Sequence, residues 1–171
     1  MTITRRRFIF VGLVGIAAFG ATRYWRRNAP DTRALRTLDT DAQPIVGAIA
    51  AVLLAGALPD ESAGRKSALE ETVAGVDRAI DGLTPSQRRE IDQLFSLLAW
   101  APARVALLRS TDDWTDATAE RVDAFLAHLR DSRIAMLRAA YDALHQLVFA
   151  AWYGAPRAWP AIGYGGPPTI G

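Results

Sequence analysis

An all-α fold is predicted: one helical bundle, preceded by an apolar N-terminal helix and followed by an extended Pro/Gly-rich aromatic tail. Three observations support it. No stretch alternates apolar and polar residues over a useful strand length, whereas apolar positions recur at spacings of three and four in segment after segment. The segments are separated by Pro, Gly, Ser, Thr and Asp of the kinds that start and stop helices. Half of the 171 residues are apolar, enough for one cored domain plus an additional terminal segment.

Taken in order, residues 1–27 stand apart from the rest. Residues 28–38 are polar and basic around Asn28-Ala29-Pro30-Asp31 and read as a linker. The bundle is assigned to 39–155. Asp39, Thr40 and Asp41 supply N-cap candidates ahead of Pro44, a proline suited to a first turn. From Pro44 to Leu58 every residue is apolar or Gly, which predicts a helix buried on all sides at the centre of the bundle and ended by Pro59-Asp60. Leu69, Val73, Val76, Ile80 and Leu83 follow a 4-3-4-3 spacing, one face of an amphipathic helix stopped by Gly82. Thr84-Pro85-Ser86-Gln87 is a capping box with proline at the first helical position, and the helix it opens buries Ile91, Leu94, Phe95 and Leu98. Pro102 breaks that helix, and a short one to Leu108 turns Val105 and Leu108 inward. Ser110–Thr118 is a loop carrying Trp114, with Asp116 or Thr118 as the next cap. Beyond it Val122, Phe125, Leu126 and Leu129 form one stripe; Ile134, Leu137, Tyr141, Leu144, Val148 and Trp152 form another. The phase shifts at Arg130–Arg133, which predicts a bend or a change of packing partner. The last 16 residues, 156–171, hold four Pro and four Gly and read as extended or turn-rich. Their aromatic neighbours distinguish them from an ordinary disordered tail.

The charge is uneven. Six of the 20 basic residues and no acid fall in residues 1–27, leaving 14 basic against 18 acidic side chains in 28–171. The body is mildly acidic, which argues against a nucleic-acid partner. In the leader, Thr4-Arg5-Arg6-Arg7-Phe8-Ile9 opens a 14-residue apolar run to Ala21, broken by Gly12, Gly15 and Gly20. A positive segment before a short apolar one has the layout of an export signal. As a helix the run reaches about 21 Å, short of a bilayer core of about 30 Å. It resembles a twin-arginine translocation signal, with Arg5 and Arg6 as the pair, Phe8 the aromatic and Ile9 the aliphatic position. That resemblance implies passage through the twin-arginine translocase to the periplasm or the periplasmic face of the inner membrane. Ala18-Phe19-Gly20 offers a small-x-small cleavage site; retention as an anchor, with Trp25 at the interface, is the other reading.

Catalytic patterns are sparse. Without cysteine, thiolate chemistry and sulfur-ligated zinc are excluded. His128 and His145 are the only histidines and lack metal-ligand spacing. Asp112, Asp113 and Asp116 lack the Gly and terminal Glu of an EF-hand loop. No serine sits in a nucleophile elbow, and no GxGxxG follows a strand. Arg130 and Arg133, in an apolar helical region, either pair with acids such as Asp131 or face a partner.

The most specific stretch runs Tyr141-Asp142-Ala143-Leu144-His145-Gln146-Leu147-Val148-Phe149-Ala150-Ala151-Trp152-Tyr153-Gly154 and on to Trp159-Pro160-Ala161-Ile162-Gly163-Tyr164-Gly165-Gly166-Pro167-Pro168. It resembles the C-terminal signature of small subunits related to gluconate 2-dehydrogenase subunit 3 and the sorbitol dehydrogenase small subunit: a helix ending in an aromatic pair, then Pro, Trp, and Ile-Gly-Tyr before Gly-Pro. The resemblance implies a non-catalytic subunit that binds no cofactor itself. Such a subunit accompanies an FAD-dependent oxidoreductase of the glucose-methanol-choline type acting on sugars or polyols, in some members with a cytochrome c subunit. It also implies that the small subunit carries the folded catalytic subunit through the export pathway. Trp152, Tyr153, Trp159 and Tyr164 are the expected partner contacts; the rival reading is that they cap the bundle's own core. Two other classes stand beside this one: a membrane-anchored periplasmic helical protein with no oxidoreductase partner, and an enzyme in its own right.

Overall fold

A computed structural model describes residues 37–108 and 111–165. They belong to one compact unit, Arg33–Gly171. The signal residues Arg5, Arg6, Phe8 and Ile9, the linker up to residue 36 and the tail from 166 onward lie outside the described residues. Within them the chain is helical and contains no strand. Six α-helices follow in order: α1 (Ala42–Leu53), α2 (Ser62–Asp81), α3 (Pro85–Ala99), α4 (Ala101–Leu108), α5 (Ala119–Arg130) and α6 (Ala135–Tyr153). Two 3-10 turns, Pro156–Ala158 and Pro160–Ile162, complete it.

The apolar α1 lies at the centre and packs on α2, α3, α5 and α6. Ile45, Ile49 and Ala50 have no solvent exposure. The helix is shorter than its composition predicts: it stops at Leu53 rather than reaching Leu58. The chain then turns, with Leu58 N–H bonded to the Leu54 carbonyl at 3.0 Å, and this turn returns both leucines to the core. The apolar run is thus not buried throughout: Ala55, Gly56 and Ala57 form the exposed outside of the turn, and Gly47, Val52 and Leu53 of α1 are only partly covered. The start of α1 also differs from expectation. Asp41 makes no side-chain cap; the Ala42 and Gln43 amides bond instead to the Asp39 carbonyl at 2.9 and 3.2 Å.

The polar segment before α1 is not all linker. Leu38 is buried, and Thr37 and Leu38 are held by the buried carboxylate of Asp77 in α2. One oxygen, Oδ1, accepts from Thr37 N–H at 2.8 Å, Leu38 N–H at 2.8 Å and the Thr37 hydroxyl at 2.6 Å.

The capping box forms as predicted. The Thr84 side chain accepts from Gln87 N–H, while Gln87 Oε1 accepts from Thr84 N–H at 3.1 Å. α3 buries Phe95 and Leu98 and ends at Trp100, whose extended backbone separates it from α4. α3 and α4 together are apolar enough to cross a membrane but are bent by 76° at that point; no single helix among the described residues is long and apolar enough. Leu108 points inward, but Val105 is exposed, since a two-turn helix leaning on the bundle has only one covered edge. Trp114, from the loop, enters the core: its indole N–H donates to the Leu98 carbonyl at 2.9 Å, and its ring meets Phe125 edge-on at 5.5 Å. Thr118 is the N-cap of α5. Glu120, in the first turn, is held below the usual carboxylate range by its own backbone N–H and then by the Thr118 side chain.

The predicted phase shift is a helix break. Val122, Phe125, Leu126 and Leu129 of α5 are all buried. Residues 131–134 form a corner, and α6 starts a new face with Leu144, Val148, Ala151 and Trp152. Ile134 does not join that stripe; it precedes the first turn of α6, beyond the reach of the core, and is exposed. α6 runs antiparallel to α2, and the two make the most extensive helix pair in the fold. Gly75 sits against Ala151 so closely that a Cβ at 75 would lie 2.8 Å from the Ala151 Cβ.

Candidate functional site

The residues predicted to meet a partner lie where α6 ends and the tail begins. The tail is not extended over its described part. Pro156 and Pro160 each occupy the first position of a 3-10 turn, where a fixed φ and a missing N–H cost nothing. Gly163 then takes the left-handed conformation, φ 69°, which glycine adopts freely. The resulting hook is fastened to the body. Ala155 and Ala158 are buried, and the Arg157 guanidinium reaches Glu71 at 2.9 Å and Ser67 at 3.4 Å on α2.

This arrangement divides the four aromatic residues. Trp152 is buried with the core, as the capping reading expects. Trp159 is half-buried and locked, its indole N–H donating to the Tyr153 carbonyl at 3.0 Å. Tyr153 and Tyr164 remain in solvent at 45% and 47% exposure. Tyr164 stands edge-on to Trp159 at 5.4 Å, with its N–H on the Trp159 carbonyl at 3.0 Å. The tail therefore serves the fold with one part of its aromatic surface and presents another.

The exposed portion continues along α6. Tyr141, His145, Phe149 and Tyr153 recur every four residues, so they stack up one side of the helix. Successive ring centroids are 5.7, 4.3 and 5.8 Å apart, and the His145–Phe149 pair is near parallel. Tyr141, His145 and Phe149 are half-buried, so each ring keeps one edge in water. Tyr141 keeps its predicted place in the inward stripe, packing against the core with one side; His145 and Phe149, which that stripe omits, complete the row. The i, i+4 recurrence of four rings was the available signal. A pre-stacked row of rigid rings loses little side-chain freedom on contact and suits an interface. His145 has no metal-ligand setting here; its neighbours in the row are aromatic carbons. His128 is exposed on α5.

At the N-terminal end of α6 the row meets charge. Arg130 grips Asp131 with Nε on Oδ1 at 3.0 Å and Nη2 on Oδ2 at 3.2 Å. That hydrogen bond holds the Asp131 carboxyl below its ordinary range and raises the guanidinium, to which the Tyr141 hydroxyl also contributes. Arg133 is exposed. The acidic loop residues considered for a cation face arginines instead: Asp113 pairs with Arg104 and Asp112 with Arg121.

Two concavities lie elsewhere. A groove of about 630 Å³ between α1 and α2 is lined by Gly47, Leu69, Val73 and Ala74, with Arg65 and Lys66 beside them. A polar cleft of about 330 Å³ surrounds Arg104, Asp113 and Trp114. The carboxylate of Asp113, paired with Arg104, occupies the second, and the first joins an aliphatic floor to a polar rim that also includes Gln43, Ser62 and Glu70. No protein-family model, curated protein or solved structure matches this chain.

Proposed function

We propose that this chain is the non-catalytic escort and assembly subunit of an exported FAD-dependent sugar or polyol dehydrogenase, leaving the cytoplasm by the twin-arginine route with its folded catalytic partner. The flavin and the substrate site belong to that partner, and a cytochrome c subunit joins the complex in some relatives of this kind. The site of action is the periplasm or the periplasmic face of the inner membrane. The observation that carries the proposal is the aromatic row of α6 continuing into the hooked tail. After the fold has used Trp152 and Trp159, Tyr153 still stands in water beside Phe149, and Tyr164 beside Trp159. Aromatic residues of this kind, rigid and amphipathic, are favoured anchors of protein interfaces. The C-terminal signature and the arginine pair of the leader give that surface its partner.

The test is an affinity purification of the tagged chain from its host, with an absorption spectrum. A flavin-containing polypeptide should co-purify, and Tyr153→Ser with Tyr164→Ser should release it while the melting temperature stays within about 2 °C, as expected for exposed positions. Recovery of the chain alone and colourless under gentle extraction would sink the proposal in favour of the solitary anchored bundle.

A further inference from the structure

The corner between α5 and α6 has a composition found nowhere else in the described chain. Ile134 and Met136 are its most exposed large hydrophobic residues, at 58% and 71%. Arg130, Arg133 and Arg138 surround them, with Asp131 the single acid between 130 and 138. The corner is therefore cationic on a body that carries 14 basic and 18 acidic residues beyond position 27. It is also built: Arg138 Nη1 donates to the Ser132 carbonyl at 2.7 Å, the Ser132 hydroxyl accepts from Ile134 N–H at 3.1 Å, and Asp131 is clamped by Arg130.

We propose that this corner docks on an anionic phospholipid surface, with Ile134 and Met136 entering the headgroup–acyl boundary and the arginines meeting lipid phosphates. Two features select a membrane over a protein partner. The apolar side chains stand at a turning point of the chain and are the two most exposed large hydrophobic residues among those described, so they project. They also stand among three arginines and a single acid, a net positive setting that the phosphates of an anionic lipid surface complement. Aliphatic groups flanked by basic ones are the composition of interfacial membrane contacts. The acidic remainder of the body would be repelled by the same surface, which orients the molecule corner-first. About 26 Å of helix separates Met136 from Tyr153, so lipid at one end of α6 leaves the Phe149–Tyr153 end of the aromatic row and the hooked tail free. The proposal does not depend on the escort reading.

The full chain has no cysteine, which permits a single probe. Met136→Cys, labelled with a polarity-sensitive fluorophore, is compared with Ala63→Cys, an exposed position at the start of α2. The antiparallel packing of α2 and α6 sets Ala63 at the far end of the body. Both are mixed with vesicles of phosphatidylcholine alone and with phosphatidylglycerol added. The expected result is a blue shift and protection from aqueous quencher at 136 only, and only with the anionic lipid. Arg133→Glu should weaken that signal at least about tenfold, given a factor of about five per basic residue at such a surface. A chain that reaches the vesicles through its leader while probe 136 stays aqueous overturns the proposal. So does an equal shift on both lipids, or a shift that appears only when a protein partner is added.

Discussion

The two long faces of α6 are satisfied by different means. The inner face, Leu144, Val148, Ala151 and Trp152, is buried, and its contacts are set by size. Ala151 meets Gly75 at a distance no side chain would permit. The outer face, Tyr141, His145, Phe149 and Tyr153, is more aromatic, yet it is wetter; its rings stack on one another, while Tyr141 and Phe149 also pack against the core. On the inner face one small residue, Ala151, stands where the two helix backbones approach at Gly75, and Leu144, Val148 and Trp152 are buried beside it. On the outer face the fold covers only part of the area of the rings. The inner face is explained by stability, whereas the uncovered part of the outer one is the surface assigned to a partner in the proposed function.

That contrast can be broken most forcefully at Trp152, which the sequence groups with the partner contacts. Because it is buried, Trp152→Ala should cost about 3–5 kcal/mol, read by chemical denaturation, and partner loss should follow from unfolding. A variant that stays folded but loses its partner would move Trp152 to the outer class. Next is Gly75→Val, which forces α2 and α6 apart and should cost about 1–3 kcal/mol through overpacking. An unchanged stability would mean that the seam is loose and that size is not the constraint. The smallest stability effect is expected at Phe149→Ala, about 1–2 kcal/mol, since the ring is only partly buried against the core and its stacking with His145 is modest. Its effect on partner capture should be far larger, on the order of 30-fold if the row includes a hot spot. Equal small effects on both would remove the outer face from the proposed interface.

The sequence revealed features whose cause is local. The capping box at Thr84–Gln87 holds both of its bonds within four residues, and the phase shift at Arg130–Arg133 becomes the break between α5 and α6. Where the cause is distant, the sequence is silent. Trp114 looks like a loop residue because its acceptor, the Leu98 carbonyl, is 16 positions away. Asp77 looks like one more surface acid in an amphipathic helix, since its partners are 39 and 40 positions upstream. The buried face of α2 includes Ala68, Thr72, Gly75 and Asp77 beside Val76 and Ile80; hydrophobic periodicity skips the small and polar members. The same limit affects the site. Four aromatic residues were visible near the C-terminus, but which of them the fold consumes depends on the tail's hook and on Arg157 reaching Glu71, 86 residues away.

The Asp77 grip on Thr37 and Leu38 also has a mechanical meaning. Among the described residues, tension arriving from the N-terminal side meets these two residues before it meets α1. Its load falls on three donors that converge on one carboxylate oxygen, so they bear the force together and yield together. Behind them, Leu38 is seated in the core and Asp77 lies in α2, the helix locked to α6. A pull arriving at Thr37 therefore bears on α2 and, through it, on α6, the most extensively packed helix pair among the described residues, and this attachment resists unravelling from the first turn of α1.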